Sequence, residues 1–174
     1  RVGLFEAQAE ALETLGRMDE ALTAYRMAQK EVGPDRVHWA RNERCVAWLL
    51  SRKGRLDEAA AACARALEVL EATGAEVDVA DALRTLAQVE IRCGHYEAAE
   101  GHLQRSLSIY QRGDHPERLA RCYGTLAQLY NDRGELEALL DVTQRQLAIC
   151  QELGRPVSIG KGLNSVAWAL IRLG

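Results

Sequence analysis

Residues 83–107 read LRTLAQVEIRCGHYEAAEGHLQRSL, and forty residues later residues 123–147 read YGTLAQLYNDRGELEALLDVTQRQL. Ten of the 25 aligned positions are identical, among them Thr-Leu-Ala-Gln at 85–88 and 125–128 and the glycines Gly94 and Gly134. The same unit recurs more loosely around Gly16 and Gly54 and is cut short at Gly174, so the marker glycines lie 38, 40, 40 and 40 residues apart. Self-similarity at a fixed period of this size belongs to chains built by stacking one supersecondary unit on the next. It excludes most folds, because a single unit cannot bury its own apolar face and must rest on its neighbours.

Each unit reads as two helices. In the third unit the pattern predicts a first helix over 77–93 and a second over 96–111, with Leu83, Leu86, Ala87, Ala98, Ala99, Leu103 and Leu107 recurring at helical spacing. The first helix of the chain is expected over 2–15. Gly94 falls where the first helix must stop and reverse, a position that calls for a left-handed residue. An alanine stands seven residues before every marker glycine (Ala9, Ala47, Ala87, Ala127, Ala167), and Ala21, Ala59 and Ala99 follow the glycine by five. Small side chains at these points let the paired helices approach closely. The fourth unit carries Leu139 there, which predicts a slightly splayed hairpin.

The pattern Leu-Ala, then Gly-x-Φ-x-x-Ala, then Ala-Leu resembles the tetratricopeptide repeat over nearly the whole chain. The period of 40 exceeds the usual 34, and alanine replaces the usual glycine at the eighth position in every unit. These departures are similar to the long-repeat branch that includes kinesin light chain and large bacterial regulators. The resemblance implies an all-α, right-handed α-solenoid of stacked antiparallel hairpins, about 4.5 repeats long, with first helices on the inner face. The repeats are expected over 1–34, 35–74, 75–114 and 115–154, with a half repeat over 155–174. The inter-unit joints carry Gly33-Pro34, Gly74, Gly113 to Pro116 and Gly154 to Pro156. They read as glycine ending one helix and proline entering the first turn of the next. The chain opens without methionine and shows no polar capping unit, which reads as a segment of a longer protein whose uncapped ends point to self-association.

Composition narrows the function. The chain is 48% hydrophobic but only 5% aromatic, which suits Ala/Leu helix packing. A net charge of −3 gives no general attraction to nucleic acid or to an acidic membrane. No apolar run approaches the ~20 residues that span a bilayer. Five cysteines without a CxxC motif argue for reduced thiols and a cytoplasmic setting. Of the 22 basic residues only Lys30, Lys53 and Lys161 are lysine, an Arg/Ala bias that fits a GC-rich bacterial genome. The four histidines are scattered without metal-ligand spacing, and no nucleotide, metalloprotease or nucleophile motif is present. The reading is a protein without enzymatic activity, cofactor or metal. Cys63, Cys122 and Cys150 fall on packing faces, and Trp39, at the start of its helix, reads as packing.

In tetratricopeptide-like hairpins, first-helix positions 13, 10, 9, 6, 3 and 2 residues before the marker glycine point into the groove. Carried onto this chain, the first unit contributes Glu6, Ala7, Glu10, Glu13 and Thr14, an acidic mouth. The second contributes Arg41, Arg44, Cys45, Trp48, Ser51 and Arg52, and the third Asp81, Arg84, Thr85, Gln88, Ile91 and Arg92, a basic middle. The fourth adds Gln128 and Asn131 beside Thr125, and the last adds Asn164 and Trp168. Amides bracket an extended peptide backbone, arginines hold carboxylates bidentately, and tryptophan is a frequent anchor. The expected partner-binding set is therefore Arg41, Arg44, Trp48, Arg52, Arg84, Gln88, Arg92, Gln128, Asn131, Asn164 and Trp168. The reading is a scaffold that holds a protein or peptide, an acidic segment in particular, within a bacterial regulatory or signal-transduction protein. A sensor for a small signalling peptide is the alternative. A nucleic-acid-binding helical repeat is a third reading, disfavoured by the acidic balance and the scarcity of aromatics for base stacking.

Overall fold

The computed structural model describes residues 1–154 and, beyond them, residues 163, 166, 167 and 170–172. The chain forms α1 (Val2–Thr14), α2 (Met18–Glu31), α3 (Arg36–Arg52), α4 (Leu56–Thr73), α5 (Glu76–Cys93), α6 (Tyr96–Arg112), α7 (Pro116–Arg133) and α8 (Leu136–Glu152). No strand occurs among the described residues. The helices expected over 77–93 and 96–111 each gain one residue, and the first ends one residue early.

The turns follow from the marker glycines. Gly94 and Gly134 adopt φ of +81° and +75°. At Gly134 the amide bonds Asn131 O at 3.1 Å, and the Glu135 amide reaches back to Tyr130 O at 2.8 Å, closing the end of α7. A β-carbon on Gly134 would meet nothing within 4 Å, so it is the backbone conformation, not space, that calls for glycine. Gly113 ends α6 as expected, in an extended conformation with φ −120°. One joint expectation needs correction. Pro34 does not enter the first turn of α3; it precedes Asp35, whose carboxylate caps the helix by accepting the His38 amide at 2.9 Å. Pro116 does occupy the first position of α7. Pro156 and the expected half repeat fall mainly outside the described residues, of which Leu163 and Leu170 are exposed.

The described helices sort into two compact units, divided between Cys93 and Gly94 inside the third repeat. In the first, α1 packs on α2, α2 on α3, α3 on α4 and α4 on α5, while α3 also meets α5. Ala9, Ala21, Ala47, Ala59 and Ala87 are all fully buried, as their small volume at the crossing points requires. Leu49, Leu50, Leu70, Leu83 and Val89 fill the space between them. Each such side chain contributes about 1.5–3 kcal/mol by leaving water. Among the buried polar residues of this unit, Asn42, Glu43, Ser51 and Thr85, one carries a charge. Glu43 is only 5% exposed, and its carboxylate accepts from Gln29 Nε2 of α2 at 2.6 Å and from Arg65 Nε of α4 at 2.9 Å.

In the second unit α6 packs on α7 and α7 on α8. Ala99, Leu103, Tyr110, Leu126, Leu129 and Cys150 form its interior. Leu139, which replaces the usual alanine, is buried, while Ala127 is half-buried where Ala9, Ala47 and Ala87 are sealed. Glu100 of α6 ties down α7 by accepting Tyr130 Oη and Arg133 Nη1, both at 2.8 Å. All five cysteines are free, and Cys63, Cys122 and Cys150 are buried as small apolar groups. No helix among the described residues is long and apolar enough to cross a membrane.

Candidate functional site

Within the first unit, three first helices stand side by side and enclose a cleft of about 210 Å³. Its lining comes from α1 (Glu13), α3 (Arg44, Cys45, Trp48) and α5 (Arg84, Thr85, Gln88). All seven occupy positions that the repeat register assigns to the inner face. The helical period does the positioning: Arg44 and Trp48 are one turn apart on α3, as are Arg84 and Gln88 on α5.

The polar groups are fixed from across the cleft. Trp48 Nε1 donates to Glu13 Oε1 at 2.8 Å, joining α3 to α1 and holding the indole half-buried. The Arg52 guanidinium lies 5.9 Å from the centre of the same ring. Arg84 Nη1 donates to Gln88 Oε1 at 3.2 Å, and Arg44 Nη2 approaches Cys45 Sγ at 3.8 Å. Burial pushes the Cys45 thiol above its ordinary range, so it faces the cleft protonated and inert as a nucleophile. Tyr25, against Cys45, is raised too, mainly by burial.

Other members of the expected set lie outside the cleft. Arg41 is exposed, but its Nε and Nη2 donate to Asp78 Oδ1 and Oδ2, both at 2.8 Å, linking α3 to α5. The basic middle is thus laced with acids from neighbouring helices and is not a bare positive patch. His38 Nε2 likewise meets Glu6 Oε1 at 2.5 Å. Arg52 and Arg92 are exposed. Ser51 and Ile91, counted onto the inner face by register, are buried between helices instead. Thr85 reaches the cleft but spends its hydroxyl on Asp81 O at 3.0 Å. In the second unit Gln128 and Asn131 are exposed on α7, and Asn131 donates to Asp132 Oδ1 at 3.2 Å. Asn164 and Trp168 lie outside the described residues.

Two features escaped the sequence reading. Asp78 and Glu13 act as cross-helix partners of Arg41 and Trp48 over separations of 37 and 35 residues, which no local pattern signals. A second cleft of about 230 Å³ opens between α2 and α4 around Arg26, Glu43, Glu58 and Arg65. Its only trace in the sequence is the acid at position 43, where the later repeats carry Leu83 and Tyr123. Among the described residues no group of three or more His, Cys, Asp or Glu is placed to hold a metal ion.

Helix hairpins at a 40-residue period, small residues at each crossing and a cleft lined by first helices define a helical-repeat protein. The tetratricopeptide repeat model matches residues 40–112 and 78–152, and the chain belongs to that family. No curated protein matches it. Among solved structures it is similar to BtubC (BKLC) from P. vanneervenii, with 26% identity and a TM-score of 0.82 over 97% of this chain and 71% of that one. It also resembles a Rap protein complexed with Competence and Sporulation Factor, at 14% identity and a TM-score of 0.86, covering 98% of this chain and 48% of that one. A third relative in fold is a STAND signal-transduction ATPase with a tetratricopeptide repeat sensor, from Pyrococcus horikoshii, at 15% identity and a TM-score of 0.84. There the match spans 97% of this chain but 26% of that one.

Proposed function

We propose that the chain is a non-catalytic interaction module that holds an extended segment of a partner protein against α1, α3 and α5. The observation that carries this is the 210 Å³ cleft, lined wholly by first-helix residues and combining donors, an acceptor and an aromatic wall. A cleft of this size takes a side chain of such a segment. Trp48 supplies the apolar contact, Gln88 brackets backbone amides, and Arg44 and Arg84 receive a carboxylate. Arg41, Arg52 and Arg92 extend the basic surface around it, so an acidic segment is the favoured ligand. Gln128 and Asn131 are proposed as backbone-holding amides of the second unit in their own right, with Asn164 and Trp168 as further members of the set. The fold shared with a STAND signal-transduction ATPase supports a place in a regulatory protein; a bacterial, cytoplasmic setting rests on the Arg/Ala bias and the free cysteines.

A second reading is favoured by one comparison. The Rap structure of the same fold is a complex with Competence and Sporulation Factor, and the cleft here would serve equally for a short free signalling peptide.

The test is binding to an arrayed library of short peptides, followed by titration of the best acidic binder. Replacing Arg44 and Arg84 together by Glu is expected to weaken binding at least about tenfold, because charge-assisted hydrogen bonds are lost and repulsion is added. Replacing Arg26 and Arg105 on second helices by Glu should leave it unchanged. Equal losses for the two pairs would remove the cleft from the account.

A further inference from the structure

The second cleft, of about 230 Å³, lies wholly within the first unit, where α2 and α4 both pack on α3. Val46 and Leu50 of α3, at most 3% exposed, form an apolar base, and Ala61 of α4 adds to it. Four charged groups stand around that base: Arg26 on α2, Glu43 on α3, Glu58 and Arg65 on α4. Both acids already have partners. Glu58 accepts Arg55 Nε and Nη2, both at 2.6 Å. Glu43 gives one oxygen to Gln29 and the other to Arg65, which reaches it through Nε and Nη2. The donors are not used up, since an arginine carries five N–H groups. Arg65 keeps Nη1 beyond the two bonded nitrogens. Arg26 stands near enough to Glu58 to favour its ionised form, yet makes no hydrogen bond among the described residues. With Arg55 included, three cations face two acids.

The acid at position 43 has no counterpart in the other repeats. Eleven residues before their marker glycines stand Phe5, Leu83, Tyr123 and Leu163. An uncharged side chain thus suffices for the repeat, and burying a carboxylate carries a desolvation cost that leucine avoids. What Glu43 does, and leucine could not, is hold Arg65 at the cleft. We propose that this cleft binds a carboxylate carried on a short aliphatic chain. Arg26 and Arg65 Nη1 donate to its oxygens, and its carbons rest on Val46, Leu50 and Ala61. Glu43 is a positioning residue that acts through Arg65. A cationic ligand would find both acids engaged. The chemistry is shared by a free short-chain acid and by the side chain of a glutamate.

Nitrogen-correlated proton spectra of the full chain, titrated with sodium butyrate against sodium chloride at matched ionic strength, test this. The expected result is saturating shifts of the Val46, Leu50 and Ala61 amides, with Kd near about 1 mM for a ligand of so few atoms. Butyramide, the neutral isostere, should give none. N-acetyl-Gly-Glu-Gly-amide, titrated in parallel, separates the two sources, and whichever acid saturates identifies the ligand. Arg26→Gln should weaken binding at least about fivefold. Glu43→Gln keeps an acceptor for Arg65 and should retain binding. Glu43→Leu should weaken it at least about threefold, although loss of a negative charge by itself would strengthen anion binding. Arg44→Glu with Arg84→Glu, in the other cleft, should leave the response in place, so the two sites are judged separately. Equal shifts with butyrate and butyramide overturn the proposal. So does the absence of saturation with either acid, or Arg26→Gln binding as tightly as the parent. A Glu43→Leu protein that binds as tightly as Glu43→Gln overturns the positioning role.

Discussion

Glu43 offers the sharpest test of how the first unit is held together. It is a carboxylate only 5% exposed, satisfied by Gln29 of α2 and by Arg65 of α4. Hydrogen bonds to a charged group are worth about 1.5–3 kcal/mol each. Arg65, however, has a side chain 54% exposed and re-solvates when its partner is lost, so its share shrinks toward that of a surface pair. Glu43→Ala should therefore cost about 2 kcal/mol, or roughly 4–8 °C in Tm for a chain of this length. Glu43→Leu should behave differently. The equivalent positions of the third and fourth repeats are Leu83 and Tyr123, both buried, so the site accepts a large apolar group. Arg65 is half-exposed and returns to water when the carboxylate goes, so only Gln29 loses a partner, and with the apolar volume filled Glu43→Leu should fall within about 1 kcal/mol of the parent. Guanidinium unfolding monitored by circular dichroism, with amide exchange on α3 as the local readout, measures both variants. If Glu43→Leu loses as much as Glu43→Ala, the carboxylate's bonds outweigh apolar burial and the reasoning fails.

Further outcomes follow from the turns and the buried thiols. Gly134→Ala should cost about 1–2 kcal/mol from backbone strain alone, because φ is +75° and the added methyl meets nothing; a neutral result in thermal melts would contradict the turn geometry. Burial pushes the Cys63 thiol from 9.0 up to about 12. The folded state thus keeps a proton that the unfolded chain releases, and this stabilising contribution is complete below pH 9 and lost as pH rises toward 12. Unfolding free energy should fall between about pH 8 and about pH 10.5 by up to roughly 2 kcal/mol more in the parent than in Cys63→Ala. Equal slopes for the two proteins would show that Cys63 is not shielded.

The helices were legible in the sequence because two independent signals coincide in each repeat. Apolar spacing sets the face, and a glycine that must adopt positive φ sets the end; α5 and α6 therefore fall within one residue of their expected bounds. The joints were less legible. Proline takes the first helical turn at Pro116 but stands before the cap at Pro34, where the Asp35 side chain takes over. For the candidate site, the register located Arg44, Trp48, Arg84 and Gln88 on a common face, since first helices repeat at a fixed phase. It did not show which charges pair. Arg41 with Asp78, Trp48 with Glu13 and Arg65 with Glu43 join residues 37, 35 and 22 apart, on helices whose relative phase is set by packing volumes. Ser51 and Ile91 show the limit of a fixed register, because a position at the edge of the inner face turns inward when the neighbouring helix lies close.

The central claim is that the cleft between α1, α3 and α5 receives the partner. The chain has three tryptophans, and the indole N–H of Trp48 donates to Glu13 inside that cleft. Side-chain indole resonances in a nitrogen-correlated proton spectrum, assigned by Trp48→Phe and Trp39→Phe, report on it without perturbing the fold. During titration with the best acidic peptide from the array, the Trp48 indole signal should shift progressively and saturate with the binding isotherm, while that of Trp39 stays in place. A peptide that binds and saturates with the Trp48 signal unmoved would contradict the account.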